Sequence, residues 1–173
     1  MRSVVAVLSI LGIALGALLV WANRPLDKLP SGSKADRIVV EKSSHTLTLY
    51  ASGQPLKVYP VALGRGTGVA KQREGDHETP EGRYIIDARN AHSRFHLALH
   101  VSYPNARDSS HAASLGVPAG GAIMIHGVGR GLGWLGRMQR EFDWTDGCIA
   151  LTDSEMDEVW NVVPTGTPIE IRH

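Results

Sequence analysis

A chain of 173 residues, 43% hydrophobic and 20% charged, can form one folded domain beside a further short segment. Its net charge of +1 excludes the bulk electrostatics of a nucleic-acid binder or of a protein held to acidic lipid by charge alone. A single cysteine excludes an internal disulfide framework.

Residues 4–21 form an uncharged run preceded by Arg2. As a helix rising about 1.5 Å per residue, the run approaches the ~30 Å of a bilayer core. It also exceeds the ~7 to 15 apolar residues of a usual signal peptide. Residues 1–22 are therefore expected to be an N-terminal membrane anchor or signal segment, the anchor being preferred, with the rest of the chain exported. Residues 23–36, rich in Pro, Ser, Gly and charge, read as a linker. The folded domain is expected over 37–173.

From Arg37 the pattern changes to β-branched and alternating runs at 38–40, 46–50 and 55–63, separated by turns at 42–44 and 52–53, which predicts a three-stranded meander. Residues 64–82 are rich in glycine and charge. They lack a Gly-Lys-Ser/Thr ending and no clear helix follows, so a long connection lining a cleft is expected rather than a phosphate loop. A strand follows at 83–87. His92, His96 and His100 would form a metal-ligand ladder on a helix. Phe95, Leu97, Leu99 and Val101 instead alternate with His96, Ala98 and His100, the period of a strand, so no metal site is assigned. His96 or His100 is then a candidate to face the cleft. A short helix at 107–114 and a strand at 121–125 lead to His126. Residues 127–140, with several glycines, read as a mobile flap that brings Trp134 to substrate. Thr152-Asp153-Ser154-Glu155 has the form of a capping box opening a helix to residue 162, and a last strand covers 168–171.

The chemistry concentrates in residues 121–151. Cys148 lies in a Thr145-Asp146-Gly147-Cys148 turn, and His126 ends an apolar run just before Gly127. A thiol nucleophile needs a base to take its proton and backbone N–H groups to hold the oxyanion. His126 is the candidate base, and the N–H groups of Gly147 and Cys148 are the candidate oxyanion donors. An unpaired thiol in an oxidising compartment also argues for a function. Its pKa is expected below ~8.5, lowered by His126 or by the helix that follows. Asp146 is expected to turn away from the sulfur or to orient a neighbour.

Ile125-His126-Gly127 followed by a Thr-x-Gly-Cys-Ile turn resembles the active-site signature of the L,D-transpeptidase catalytic domain (YkuD-like) family. Leu47-Thr48-Leu49-Tyr50, Val61-Ala62-Leu63-Gly64, Gly75-Asp76-x-x-Thr79-Pro80-x-Gly82-x-Tyr84 and Ser102-Tyr103-Pro104-Asn105 fit the same family in order. The usual turn reads Ser-His-Gly-Cys-Ile/Val-Arg; here Asp146 replaces the histidine and Ala150 the arginine, a form more similar to the YafK-like branch. The resemblance implies a mostly β fold with short helices, β-sandwich or barrel-like. It implies a cysteine enzyme acting on peptidoglycan stem peptides through a thioester, without metal or other cofactor. Cys148, His126 and Gly147 would be catalytic, and Gly127, Trp134, Thr145 and Asp146 would contact substrate. The branch and the missing arginine point to hydrolytic trimming, including release of a wall-bound lipoprotein. Alternatives are a transpeptidase that cross-links peptidoglycan or attaches lipoprotein, and a catalytically inactive cell-wall binding module. The implied place is the periplasm or cell envelope, with the membrane reached through residues 4–21 and no nucleic-acid partner.

Overall fold

The computed structural model describes residues 2–24, 27–129 and 131–173, apart from the side chains of residues 2, 3, 5 and 6. Residues 25 and 26 of the expected linker, residue 130 of the expected flap and part of the expected anchor thus lie outside the described residues. The helices are α1 (Arg2–Ala22), α2 (Ala106–Ser114) and α3 (Asp153–Val162), with a 3-10 helix over Gly133–Arg140. The strands are β1 (Arg37–Glu41), β2 (Thr46–Ala51), β3 (Gln54–Pro60), β4 (Gly82–Asn90), β5 (Ala98–Val101), β6 (Met124–His126), β7 (Ile149–Ala150) and β8 (Pro168–Arg172).

Together the strands form one eight-stranded sheet in the order β3-β2-β1-β8-β4-β5-β6-β7. The meander forms as the alternation predicts, because Ile38, Val40, Leu47 and Leu49 all bury completely. Each such side chain contributes about 1.5–3 kcal/mol on burial. Strand β4 curls the sheet. Residues 82–85 pair with β8, the register shifts between Ile86 and Ala88, and the remainder pairs with β5. The result is a mostly-sheet, curled half-barrel with few helices, as expected for the fold class. Its far edge is the short parallel pair β6 and β7, which carries the site. Ile125, Ile149 and Leu151 on this edge bury completely beside Met156 and Val159 of α3, so the helix seals that end of the core.

Several boundaries differ from the sequence pattern. Strand β5 begins at Ala98, not at residue 95, because His96 takes a positive φ of 70° that breaks the extended run. Both cleft candidates on that segment are paired with carboxylates: His96 Nε2 lies 2.7 Å from Asp157 and His100 Nδ1 lies 2.6 Å from Asp87. Residues 27–36 are docked where a free linker was expected. Leu29 packs on the core and its N–H donates to Glu158, Lys57 donates to the Asp27 carbonyl, and Ala35 is buried.

Helix α1 forms over the apolar run, with Leu8, Ile10, Leu11, Ile13 and Val20 exposed. Among the described residues, however, no helix is long and apolar enough to cross a membrane. The run expected as an anchor, residues 4–21, includes positions whose side chains lie outside the described residues. The C-terminal end of α1 seats on the 3-10 helix, where Ala22 is buried against Gly136 and Asn23 Nδ2 donates to the Trp134 carbonyl at 2.9 Å.

Candidate active site

The parallel register Ile125↔Ile149 and His126↔Ala150 decides the geometry. Cys148 stands immediately before β7, so this pairing brings the nucleophile turn alongside the strand that ends in His126. The His126 carbonyl accepts from Leu151 N at 2.9 Å, which fixes its backbone against the nucleophile segment. The imidazole Nδ1 donates to the Gly127 carbonyl at 2.6 Å. That bond places the ring proton on Nδ1 and leaves Nε2 as the lone-pair nitrogen, the form a general base requires.

His126 is 2% exposed and lies in an aromatic setting. Phe95 stacks on it with ring centroids 4.5 Å apart and planes at 25°, and Trp144 meets it edge-on at 5.8 Å. Burial lowers the imidazole pKa below its ordinary value; the Gly127 bond works the other way and the Arg94 charge adds to the lowering. The ring is thus neutral at neutral pH. Gly127 fits here because it has no side chain: a Cβ would stand 2.5 Å from Asp153 Oδ1 and 3.1 Å from the Phe95 carbonyl.

The thiol differs from expectation in its acidity. Burial pushes Cys148 above its ordinary pKa; backbone bonding to Met124 lowers it, the Asp146 charge raises it again and Lys71 opposes that. Its Sγ donates to the Ala122 carbonyl at 3.5 Å. Burial of both groups thus works against a preformed thiolate–imidazolium pair.

The turn itself is held by buried Thr145, whose hydroxyl donates to the Cys148 carbonyl at 2.7 Å and accepts from Gly147 N at 3.2 Å. The Gly147 N–H is thus engaged by Thr145. Strapping to residues 62–65 adds to this, since Thr145 N donates to Leu63 O, Arg65 N to Thr145 O, and Ala62 and Ala150 exchange both bonds. Asp146 turns outward, 74% exposed, to Arg65 at 2.9 Å and His77 at 2.8 Å. The Arg65 hydrogen bond holds its carboxyl below the usual range.

The loop at 64–82 is internally satisfied. Glu78, buried, accepts from Thr67 N, from Thr67 Oγ1 at 2.9 Å and from Gly68 N at 3.1 Å, so the N–H groups a phosphate would take are occupied. Burial resists ionisation of Asp76, but Lys71 and the N–H groups of Arg73, Gln72 and Glu78 outweigh it and bring its carboxyl to about 2.

Residues 35–171 match the family model of the L,D-transpeptidase catalytic domain. The chain belongs to that family. It is 30% identical over 132 residues to YafK of Escherichia coli (strain K12), an L,D-transpeptidase by name. The match covers 73% of this chain and 46% of YafK, so the chain spans less than half the length of that relative. The helical cell shape determining protein Pgp2 from Campylobacter jejuni shares the fold at a TM-score of 0.59 and 20% identity, over 90% of this chain and 54% of that one. The L,D-transpeptidase from Xylanimonas cellulosilytica does so at 0.54 and 14%, over 84% and 64%.

Within this family site, Ala150 is completely buried in β7, so its position sends nothing into the cleft. Trp134 is 56% exposed on the 3-10 helix and the aromatic rings that touch the base are Phe95 and Trp144. The expected flap is pinned in the described part, with Gly136 and Gln139 buried and Trp144 Nε1 donating to Gln139 at 2.9 Å. Sequence reading missed Phe95, Trp144, Arg65, His77 and Glu78. Only Trp144 carried a signal, its place directly before the Thr145-Asp146-Gly147-Cys148 turn.

Gly147 takes a φ of 117°, and a Cβ there would stand 2.6 Å from the Glu78 carbonyl oxygen. Gly147→Ala is expected to destabilise the fold by about 1–3 kcal/mol in urea denaturation.

Proposed function

We propose that the protein is a peptidoglycan-modifying cysteine enzyme in which Cys148 attacks a stem-peptide carbonyl. The observation that carries this is His126, its Nδ1 bonded to the Gly127 carbonyl and its Nε2 without a partner among the described residues, on the strand paired with the one that Cys148 leads into. His126 takes the thiol proton as the carbon–sulfur bond forms, then returns it to the leaving amine. The Cys148 N–H, joined by Gly147 N–H as Thr145 yields it, stabilises the oxyanion. Water activated by the same imidazole then attacks the thioester and releases the acyl peptide and the thiol. This hydrolytic course trims stem peptides or frees a wall-bound lipoprotein, and the absence of a cleft side chain at Ala150 supports it.

An amine acceptor in place of water would make the same thioester an intermediate in cross-linking or lipoprotein attachment, the reading favoured by YafK's name. The action is placed in the periplasm or cell envelope. Residues 37–173 act as the catalytic domain, and Gly127, Trp134, Thr145 and Asp146 border the substrate path. The chemistry needs no metal.

The test is mass spectrometry of muropeptides, with and without attached lipoprotein peptide, incubated with the full chain or its Cys148→Ala variant. The intact protein is examined in parallel for an acyl adduct on Cys148. Loss of attached peptide with a transient adduct supports the hydrolase, and new cross-links support the transpeptidase. An inert, unmodified Cys148 in the folded protein would leave a binding module.

A further inference from the structure

The stack over His126 ends in a charge. Arg94 places its guanidinium carbon 4.6 Å above the Phe95 ring centroid, and Phe95 in turn stacks on the imidazole. Arg94 is exposed, and among the described residues no carboxylate pairs with it. This separates it from the cation on the nucleophile side, since Arg65 already spends its Nε and Nη2 on Asp146. A guanidinium held over a ring can still offer its N–H groups to a planar anion. Gly129 closes the other side: a Cβ there would stand 3.2 Å from the Arg94 carbonyl and 3.3 Å from Phe95 Cδ1. The backbone that follows the base thus runs against this residue. An unpaired cation so near a base makes that base weaker, which is a cost in the free enzyme that a bound anion would remove.

We propose that Arg94 is a specificity-determining residue that binds a carboxylate of the peptide whose carbonyl Cys148 attacks. The inference rests on the stem-peptide reading above and names the group read. A peptide carboxylate is planar and matches the guanidinium fork with two parallel hydrogen bonds. It can come from the chain end or from an acidic side position of the peptide. Phe95 supports Arg94 and His126 together, so binding the carboxylate sets the distance from that anchor to the reacting carbonyl.

The experiment compares stem tetrapeptides as the free acid, as the C-terminal amide and as the side-position amide. Binding is measured by calorimetry to full-length Cys148→Ala carrying Arg94, Arg94→Gln or Arg94→Lys, and turnover is measured with Cys148 intact. Charge-assisted hydrogen bonds predict that Arg94→Gln weakens binding of the acid by about 10- to 100-fold. The effect should fall on KM with little change in kcat. The amide that already binds weakly to the protein with Arg94, and that the Arg94→Gln substitution weakens no further, identifies the carboxylate that is read. Arg94→Lys should restore part of the affinity for the acid. Equal binding of all three peptides by the Arg94 and Arg94→Gln proteins, with Cys148-dependent turnover intact, would overturn the inference alone. Turnover that survives Cys148→Ala, or no binding of any peptide, would overturn the stem-peptide reading and this inference with it.

Discussion

His126→Gln should lower kcat/KM on a stem peptide by about 10²- to 10⁴-fold, the usual contribution of a positioned general base, while the protein stays folded. Glutamine can still reach the Gly127 carbonyl and pack under Phe95, but its amide cannot take the thiol proton. The pH profile of the unmodified enzyme should show why that proton matters. Burial, opposed by the Gly127 bond and reinforced by Arg94, puts the imidazole below its ordinary 6.5. Activity should therefore rise through an acid limb below 6.5 and stay level across neutral pH, where the imidazole is neutral and the buried thiol still protonated. A rate that instead climbed only above the ordinary thiol value of 9.0, in step with thiolate formation, would remove His126 from the base role. Stability has a matching sign. The unfolded chain binds a proton at His126 below 6.5 that the folded one refuses, so this contribution is complete above 6.5 and is lost as pH falls through the lower folded value.

What was legible in the sequence is what depends on near neighbours. Alternation of Ile38, Val40, Leu47 and Leu49 announced the meander because a strand's period is local. Thr152 and Glu155 announced the start of α3 because a capping box closes within one turn. His126 and Cys148 stood out because a histidine after an apolar run and a thiol in a glycine turn are rare together. The environment of the two was not legible. Phe95 reaches His126 only because the chain folds back between β5 and β6, and Asp146 finds Arg65 and His77 only because the loop after Gly64 returns to the turn. The thiol's acidity went the other way for the same reason: burial is a property of the assembled edge, and it outweighs the charges near the sulfur. Glycine neighbours point to Trp134 in the sequence, yet Trp144 is the one next to the nucleophile turn and against the base.

Glu155→Ala should destabilise the fold by about 3–5 kcal/mol, the scale for breaking a buried ion pair by removing one partner, read as a shifted midpoint in urea denaturation. Glu155 is 1% exposed and gathers three donors on one carboxylate oxygen: Thr152 N at 3.0 Å, the Thr152 hydroxyl at 2.7 Å and the Arg140 guanidinium. Removing it strips α3 of half its capping box and leaves Arg140, whose Nε is already buried with no partner among the described residues, as an uncompensated charge. Glu155→Gln should cost less, since an amide oxygen can still accept from Thr152 N, and the difference between the two variants isolates the cap from the charge. The damage should also reach the chemistry. Asp153, the next residue after the cap, accepts from Val128 N at 2.8 Å, and Val128 follows the Gly127 carbonyl that sets the His126 tautomer. Arg140 ends the 3-10 helix that also carries Gln139, the partner of Trp144. A Glu155→Ala protein assayed below its melting transition should therefore lose turnover and open amide exchange at residues 127–140 together. Loss of stability with unchanged turnover would show that the base is held by the sheet edge alone.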